Sequence, residues 1–349
     1  MAIKAVNEII GQYSISTGYR KSELIKLVEN KKLKYLQFSE KLNEQEINQL
    51  EEFVFSKNSE ISLRIYGFYS QECDLSFLVK IPSLKKLSVD CLMKAENAEV
   101  ITKLKNIESL GIGIYNLESF EFLKDINTNL KELFLHQTKS KKLNLNLIDR
   151  FVNLEVLYID GQSNGIEKIN SLKNLKEITL RSISTGNLDY LKDLKYLWSV
   201  DIKLGGIKNF EALQTLPNLK YLELWQIRDL SDLSFISNLL NLQYLDIQSL
   251  KNVTNFPDLH KLLHLRRIYL ENLKGLKEID NIKDIPFLEE FIFVSAENMT
   301  PNNILPILKN KSIKSILCGF GSTKKNQILE KLIEEHNKKR YEFSEFEFR

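Results

Sequence analysis

Leu219-x-x-Leu222-x-Leu224, Leu242-x-x-Leu245-x-Ile247 and Leu265-x-x-Ile268-x-Leu270 are three copies of one pattern, each opening the same step after the last, with the next at Leu288. Recurrence at a fixed period of this size marks a solenoid, in which each unit buries its apolar edge against its neighbours. Working outward, copies open at Leu84, Ile107, Leu130, Leu154, Leu175, Leu197, Leu219, Leu242, Leu265, Leu288 and Ile313, at nearly even intervals. These eleven copies exceed the roughly three that a stable stack needs.

The first half of a copy alternates, as in Tyr221-Leu222-Glu223-Leu224-Trp225, and a period of two predicts a short strand with one buried face. The second half runs at period three through Leu273, Leu276, Ile279, Ile282, Ile285 and Leu288. Three is not the 3.6 of an α-helix and suits 3₁₀ turns or extended segments. Strand, outer return, strand, repeated with the right-handed crossover of parallel strands, predicts an α/β solenoid. Its concave side is a parallel β-sheet and its convex side is 3₁₀ or extended. Returns narrower than α-helices predict a gently curved arc.

These copies resemble the leucine-rich repeat family, in the class with a repeat period of about 22–23, found in bacterial internalins and in a eukaryotic phosphatase regulator. The resemblance covers residues 61–318. That family usually sets Asn at the ninth position of a copy, where its side chain bonds buried backbone groups of the turn. Here the position holds residues such as Leu92, Ile183, Gly205, Ile227, Leu250 and Leu273. With no Asn ladder there, those backbone groups need other partners, because leaving them buried and unpaired is costly. Less regular turns are the expectation.

Residues 1–60 fall outside the regular pattern and are read as an N-terminal capping region. Leu24, Ile25, Leu27 and Val28 have helical spacing, Leu33-x-x-Leu36-x-Phe38 is an imperfect first strand, and Asn43-x-x-Glu46 has the order of a capping box. Ile61-x-Leu63-x-Ile65 gives a second strand. Residues 61–318 make the solenoid. Residues 319–349 make a C-terminal cap: an amphipathic helix over residues 323–339, then Tyr341, Phe343, Phe346 and Phe348 as a last strand or a tail that docks a partner. The whole is read as one structural domain with helical caps.

A net charge of +3 over 349 residues predicts no bulk attraction to nucleic acid or membrane. Cys73, Cys91 and Cys318 are odd in number and far apart, which fits a reducing compartment. No run approaches a membrane span and the first residues lack an apolar signal core, so a cytoplasmic location is expected. His260 and His264 have ligand spacing without a third partner, and Gly319-x-Gly321 precedes Lys324-Lys325 without phosphate-loop spacing. Gly111-x-Gly113 lacks a third glycine. No catalytic residue, cofactor or metal site is predicted, and the chain reads as non-enzymatic.

For a copy opening at residue n, side chains at n, n+3 and n+5 point to the core, and those at n+2, n+4 and n+6 point out of the sheet. The outward set carries nine acids (Asp90, Glu132, Asp160, Glu177, Asp201, Glu223, Asp246, Glu271 and Glu290) against four bases (Lys86, Arg181, Lys203 and Arg267). That face is −5, leaving the remainder of the chain at about +8, with lysines scattered through turns such as Lys139-Ser140-Lys141-Lys142. Aromatics stand among the acids, and Tyr158, Thr179, Asp201, Glu223, Asp246 and Tyr269 share one depth on neighbouring strands. Exposed Trp and Tyr are frequent hot-spot residues, and acids among them favour a basic protein over phosphates. The expected partner-binding residues are Phe134, Tyr158, Asp160, Asp201, Tyr221, Glu223, Trp225, Tyr244, Asp246, Tyr269 and Glu271. The expected function is a protein-interaction scaffold for a basic protein, in its specific form a bacterial immunity protein against a toxin such as a nuclease. An adaptor that positions an enzyme, and a secreted effector or adhesin, are the alternatives.

Overall fold

The leucine pattern is realised as a parallel ladder that keeps one register through the copies opening at Leu175 to Leu288. In a computed structural model describing residues 2–69, 71–140 and 143–349, Leu222 lies beside Leu245, Leu245 beside Ile268, and Ile268 beside Phe291. All four are buried. Burying each such side chain contributes roughly 1.5–3 kcal/mol relative to exposure, so a one-residue slip, which turns every one of them outward, is excluded. Lys141 and Lys142 of the basic turn lie outside the described residues.

The chain divides into two compact units, one ending at Leu172 and the other spanning Lys173–Arg349. The first opens with an antiparallel hairpin, β1 (Ile3–Asn7) and β2 (Gln12–Ile15). Then come α1 (Lys21–Val28), β3 (Tyr35–Phe38), α2 (Glu44–Leu50) and β4 (Ser62–Tyr66). Next in its main sheet are β6 (Lys86–Leu92), β8 (Ser109–Ile114), β9 (Glu132–Leu135) and β10 (Val156–Asp160). Two short strands, β5 (Cys73–Asp74) and β7 (Ala95–Glu96), pair apart from it. The capping box forms as the sequence implies: Glu46 N–H donates to Asn43 Oδ1 at 2.9 Å, and Asn43 N–H to Glu46 Oε2 at 2.8 Å. The hairpin is not foreseen, because β1 is largely exposed and carries no buried stripe.

The second unit contains β11 (Glu177–Arg181), β12 (Ser199–Lys203), β13 (Tyr221–Trp225), β14 (Tyr244–Gln248), β15 (Arg267–Glu271) and β16 (Glu290–Val294). After these come α3 (Pro301–Leu308), β17 (Ser315–Cys318), α4 (Thr323–Glu335) and the short β18 (Lys339–Arg340). Most returns between the regular strands are short 3₁₀ turns in both units, such as Glu121–Asp125 and Glu211–Thr215. The return between β16 and β17 is instead the α-helix α3. Thr300 caps it, and Pro301 starts it at the position where a missing N–H does least harm. The copy that holds this helix, from Leu288 to the next opening at Ile313, also spans the longest interval between the regular openings.

In the copies opening at Leu175 to Leu265 the turns after the strands are regular, contrary to the expectation. In five successive copies the eighth residue is left-handed: Ser182, Leu204, Gln226, Ser249 and Asn272, with φ between 51° and 56°. That conformation turns each N–H onto the next copy. Ser182 donates to the Lys203 carbonyl (2.7 Å), Leu204 to Trp225 (2.9 Å), Gln226 to Gln248 (2.9 Å) and Ser249 to Glu271 (2.8 Å). Backbone thus does at this corner what an asparagine side chain does elsewhere. Asparagines instead line the other end of the strands. Asn218 Nδ2 donates to the Lys195 carbonyl (2.6 Å) and Asn241 Nδ2 to Pro217 (2.7 Å), each reaching the copy before it; Asn106 does the same to Pro82 in the first unit (3.0 Å). Gly205 is required where it stands, since a Cβ there would come within 2.1 Å of the Ile183 carbonyl oxygen.

Candidate functional site on the open face of the sheet

Strand alternation sets the site. On β11 to β15 the side chains facing away from the returns stand in three rows, and the middle row runs Thr179, Asp201, Glu223, Asp246, Tyr269 in unbroken register. Adjacent strands are about 4.8 Å apart, so three carboxylates crowd one line. One cation touches two of them: Lys203 Nζ lies 2.7 Å from Asp201 Oδ2 and 3.2 Å from Glu223 Oε1. Tyr221 donates its hydroxyl hydrogen to Glu223 Oε2 at 3.0 Å, and Gln248 Nε2 donates to Asp246 Oδ1 at 2.9 Å. Asp201 Oδ1 is buried with no hydrogen-bond partner.

Burial penalises the charged forms of Asp201 and Asp246, and the neighbouring acids penalise them again. Asp201 is pushed up to about 6 by desolvation and by Glu223, with Lys203 and Arg181 opposing. Asp246 is pushed up to about 7 by desolvation, its bond from Gln248 opposing and the charges of Glu223 and Asp201 adding. Burial alone would lower Lys203, but its hydrogen bond and charge contact with Asp201 outweigh that and raise it. Near neutral pH the row therefore holds a partly protonated acid, and among the described residues Lys203 is the cation in ion-pair contact with it.

Around the row stand the aromatics. Arg181 and Lys203 each lie 5.9 Å from the Trp225 ring centroid. Tyr269 donates to Glu271 Oε2 at 2.6 Å. Tyr221 and Tyr244 meet edge-on at 5.1 Å, and burial followed by the nearby acids raises both hydroxyls far above their ordinary range. In the first unit the Phe134 and Tyr158 rings are 6.4 Å apart, His136 lies 4.9 Å from Tyr158, and Asp160 is buried.

Two features escaped the sequence reading. The first unit carries a polar network ahead of the regular copies. Gln12 Nε2 donates to Gln37 Oε1 (2.7 Å), Arg64 Nη1 to the same oxygen (3.0 Å), and Arg64 Nε to both oxygens of Asp90 (2.9 Å each). Gln37 is buried. Gln37 and Arg64 sit at n+4 and n+3 of the two irregular copies opening at Leu33 and Ile61, where the spacing slips, so counting only from Leu84 omitted them.

The second feature is the C-terminal segment. After β18 pairs with β17, residues 341–349 leave the ladder and cross the open face at the start of the strands. Phe346 lies 5.2 Å from Tyr244 and 4.5 Å from the Arg266 guanidinium. Phe348 lies 4.9 Å from Trp198 and 6.3 Å from Tyr221. Trp198 and Arg266 occupy n+1, just before the strand proper, a position the alternation rule does not place outward. Tyr221 and Tyr244 are thus partly covered by the chain itself. Arg267, counted as a base of the open face, is 5% exposed and bonded to Glu290 Oε2 at 2.5 Å.

No helix among the described residues is long and apolar enough to cross a membrane. No family model and no curated protein matches the sequence. Solved structures do. An internalin from Listeria monocytogenes superposes with a TM-score of 0.56 at 19% identity, covering 88% of this chain and 87% of that one. A leucine-rich repeat protein from Leptospira interrogans gives 0.53 at 17% identity, covering 90% and 91%. At such identities the likeness speaks to architecture alone, and the architecture is the one the recurring leucine copies demand: this chain has the leucine-rich repeat fold.

Proposed function

We propose that this chain is a cytoplasmic, non-enzymatic scaffold that binds a basic partner protein on the open face of the second unit. In its specific form it is a bacterial immunity protein that neutralises a toxin such as a nuclease with a positive active face. The single observation that carries the reading is the row Asp201, Glu223, Asp246: three desolvated acids touched by one lysine, flanked by Tyr221, Trp225 and Tyr269. An arginine or lysine from a partner supplies the missing counter-charge, and desolvated charge pairs at a protein interface can be worth ~1.5–7 kcal/mol. The aromatics give contact area with little rotamer entropy to lose. Phosphate backbones are repelled from the same row.

The test is capture from the native cell by immobilised wild type and by the Glu223→Gln/Trp225→Ala variant, read by mass spectrometry. One basic protein held by wild type and lost by the variant is the expected result. An acidic captured protein, or equal capture by both, removes the reading. A toxin among the captured proteins, inhibited in its own assay by added wild type, separates immunity from an adaptor role.

A further inference from the structure

The segment 341–349 is held through its backbone as well as its rings. Gln243 pairs with Arg349 as a strand would: its Nε2 donates to the Arg349 carbonyl (2.6 Å) and its Oε1 accepts the Arg349 N–H (2.9 Å). Arg266 Nη2 donates to the Glu347 carbonyl (2.5 Å), Arg267 Nη1 to the Ser344 carbonyl (3.1 Å) and Arg267 Nη2 to the Ser344 hydroxyl (3.1 Å). With the segment in place Gln243 and Arg267 are 6% and 5% exposed, so residues 341–349 shield these polar groups as they bond them.

Two side chains fill the groove. Phe346 and Phe348 are two apart, so an extended backbone sends both to one side, and their centroids are 4.8 Å apart. Phe346 takes the slot formed by Tyr244, Arg266 and Arg267; Phe348 takes the one between Trp198 and Tyr221. Recognition of main chain at intervals, with pockets for alternate side chains, is how proteins read extended peptides. The present occupant is only half seated. Phe343 stays 94% exposed, Phe348 stays 36% exposed, and among the described residues the ladder to β17 ends with the Tyr341 N–H donating to the Ile316 carbonyl at 2.9 Å.

From these contacts we infer that the row Trp198, Tyr221, Gln243, Tyr244, Arg266 and Arg267 is a groove for an extended segment of a partner protein with aromatic side chains at alternate positions, and that residues 341–349 are its resident stand-in. The groove lies beside the acidic row and uses different residues for its polar contacts, so it stands or falls apart from the basic-partner reading.

The test uses the full chain. A fluorescently labelled synthetic peptide of the Tyr341–Arg349 sequence is titrated, by anisotropy, into wild type and into the full-length Phe346→Ala/Phe348→Ala variant, whose own segment no longer fills the slots. The variant binds the peptide at least tenfold more tightly than wild type, a peptide with both phenylalanines replaced by alanine fails to bind, and adding Tyr244→Ala to the variant abolishes binding. Far-UV circular dichroism confirms that each protein is folded; Phe348→Ala alone is the milder opening if the double variant melts early. Equal affinity in wild type and variant, or no binding to the folded variant, overturns the inference. So does concentration-dependent dimerisation of wild type that the double variant abolishes, because the groove then serves exchange of segments between copies.

Discussion

Asp246→Asn should stabilise the protein, and only at high pH. Asp246 is 7% exposed and sits between Glu223 and Tyr269 in the middle row, its carboxyl pushed up to about 7 by burial with the acids adding. In the unfolded chain it titrates near 3.9. Between those values the folded state keeps a proton that the unfolded state releases, so stability falls as pH rises from about 4, and the penalty is complete above about 8. At about 1.4 kcal/mol for each pH unit between the two values, the ceiling is about 4 kcal/mol. Water reaching a half-open face trims that to about 2–4 kcal/mol. Asparagine retains the oxygen that accepts from Gln248, so no donor is orphaned. Both tryptophans, Trp198 and Trp225, belong to the second unit, so urea unfolding read by their fluorescence reports the right part of the chain. The gain in unfolding free energy should be about 2–4 kcal/mol at pH 8 and within about 0.5 kcal/mol of zero at pH 3.5. An equal gain at both pH values, or a loss at pH 8, would show that the carboxylate is solvated and that the row is not electrostatically crowded.

Binding to a basic partner should tighten with pH for the same reason. A cation placed against Asp201 and Asp246 lowers two carboxyls that stand at about 6 and about 7, so association releases protons and affinity rises roughly tenfold or more from pH 5.5 to 8; a flat profile by calorimetry rejects direct contact with the row. Leu222→Asp, at a position 0% exposed, buries an unpaired carboxylate and should cost at least about 4 kcal/mol; a near-wild-type melt rejects the register. Asn241→Ala removes the bond to the Pro217 carbonyl and should cost about 0.5–1.5 kcal/mol, whereas no change in urea midpoint would make that asparagine row incidental. Gln226 is left-handed at φ 51° with an exposed side chain. Gln226→Gly should therefore be neutral or stabilising by up to about 1 kcal/mol and Gln226→Val destabilising by about 1 kcal/mol or more; the reverse order would reject the backbone account of the turn.

What could be read from sequence follows from where periodicity reaches. Leu222, Leu245 and Ile268 announce the ladder because each copy repeats the same demand for burial, and the demand fixes register for the polar residues between them. Thr179, Asp201, Glu223, Asp246 and Tyr269 are therefore neighbours on the page as in the molecule. The regularity of the turns was not legible. A left-handed residue leaves a strong sequence mark only when it is glycine, and here the position holds Ser, Leu, Gln, Ser and Asn in succession.

The C-terminal segment shows the other limit, and it bears on which partner chemistry the face prefers. Tyr341, Phe343, Phe346 and Phe348 carry an aromatic pattern but no period that ties them to a copy, so sequence alone does not say whether they extend the ladder or cross it. Register then decides. The segment runs across strands at n+1 and n+2, where Trp198, Gln243 and Arg266 stand at the lip, while the acids stand at n+4, deeper along each strand. Seen this way, the open face of the second unit is two surfaces. The lip is built from aromatics and two arginines that take an extended chain by its carbonyls. The row behind it is short of positive charge. A single ligand that used both would have to present aromatic side chains at one edge and a cation about two residues, or ~7 Å, further along the strands. A basic protein with an exposed aromatic segment meets that requirement. Partner affinity should then fall when the lip is altered through Tyr244 and, independently, when the row is altered through Glu223. In a double-mutant cycle on such a partner, a coupling energy below about 0.5 kcal/mol marks two separate surfaces. Strong coupling would mean that lip and row form one continuous site.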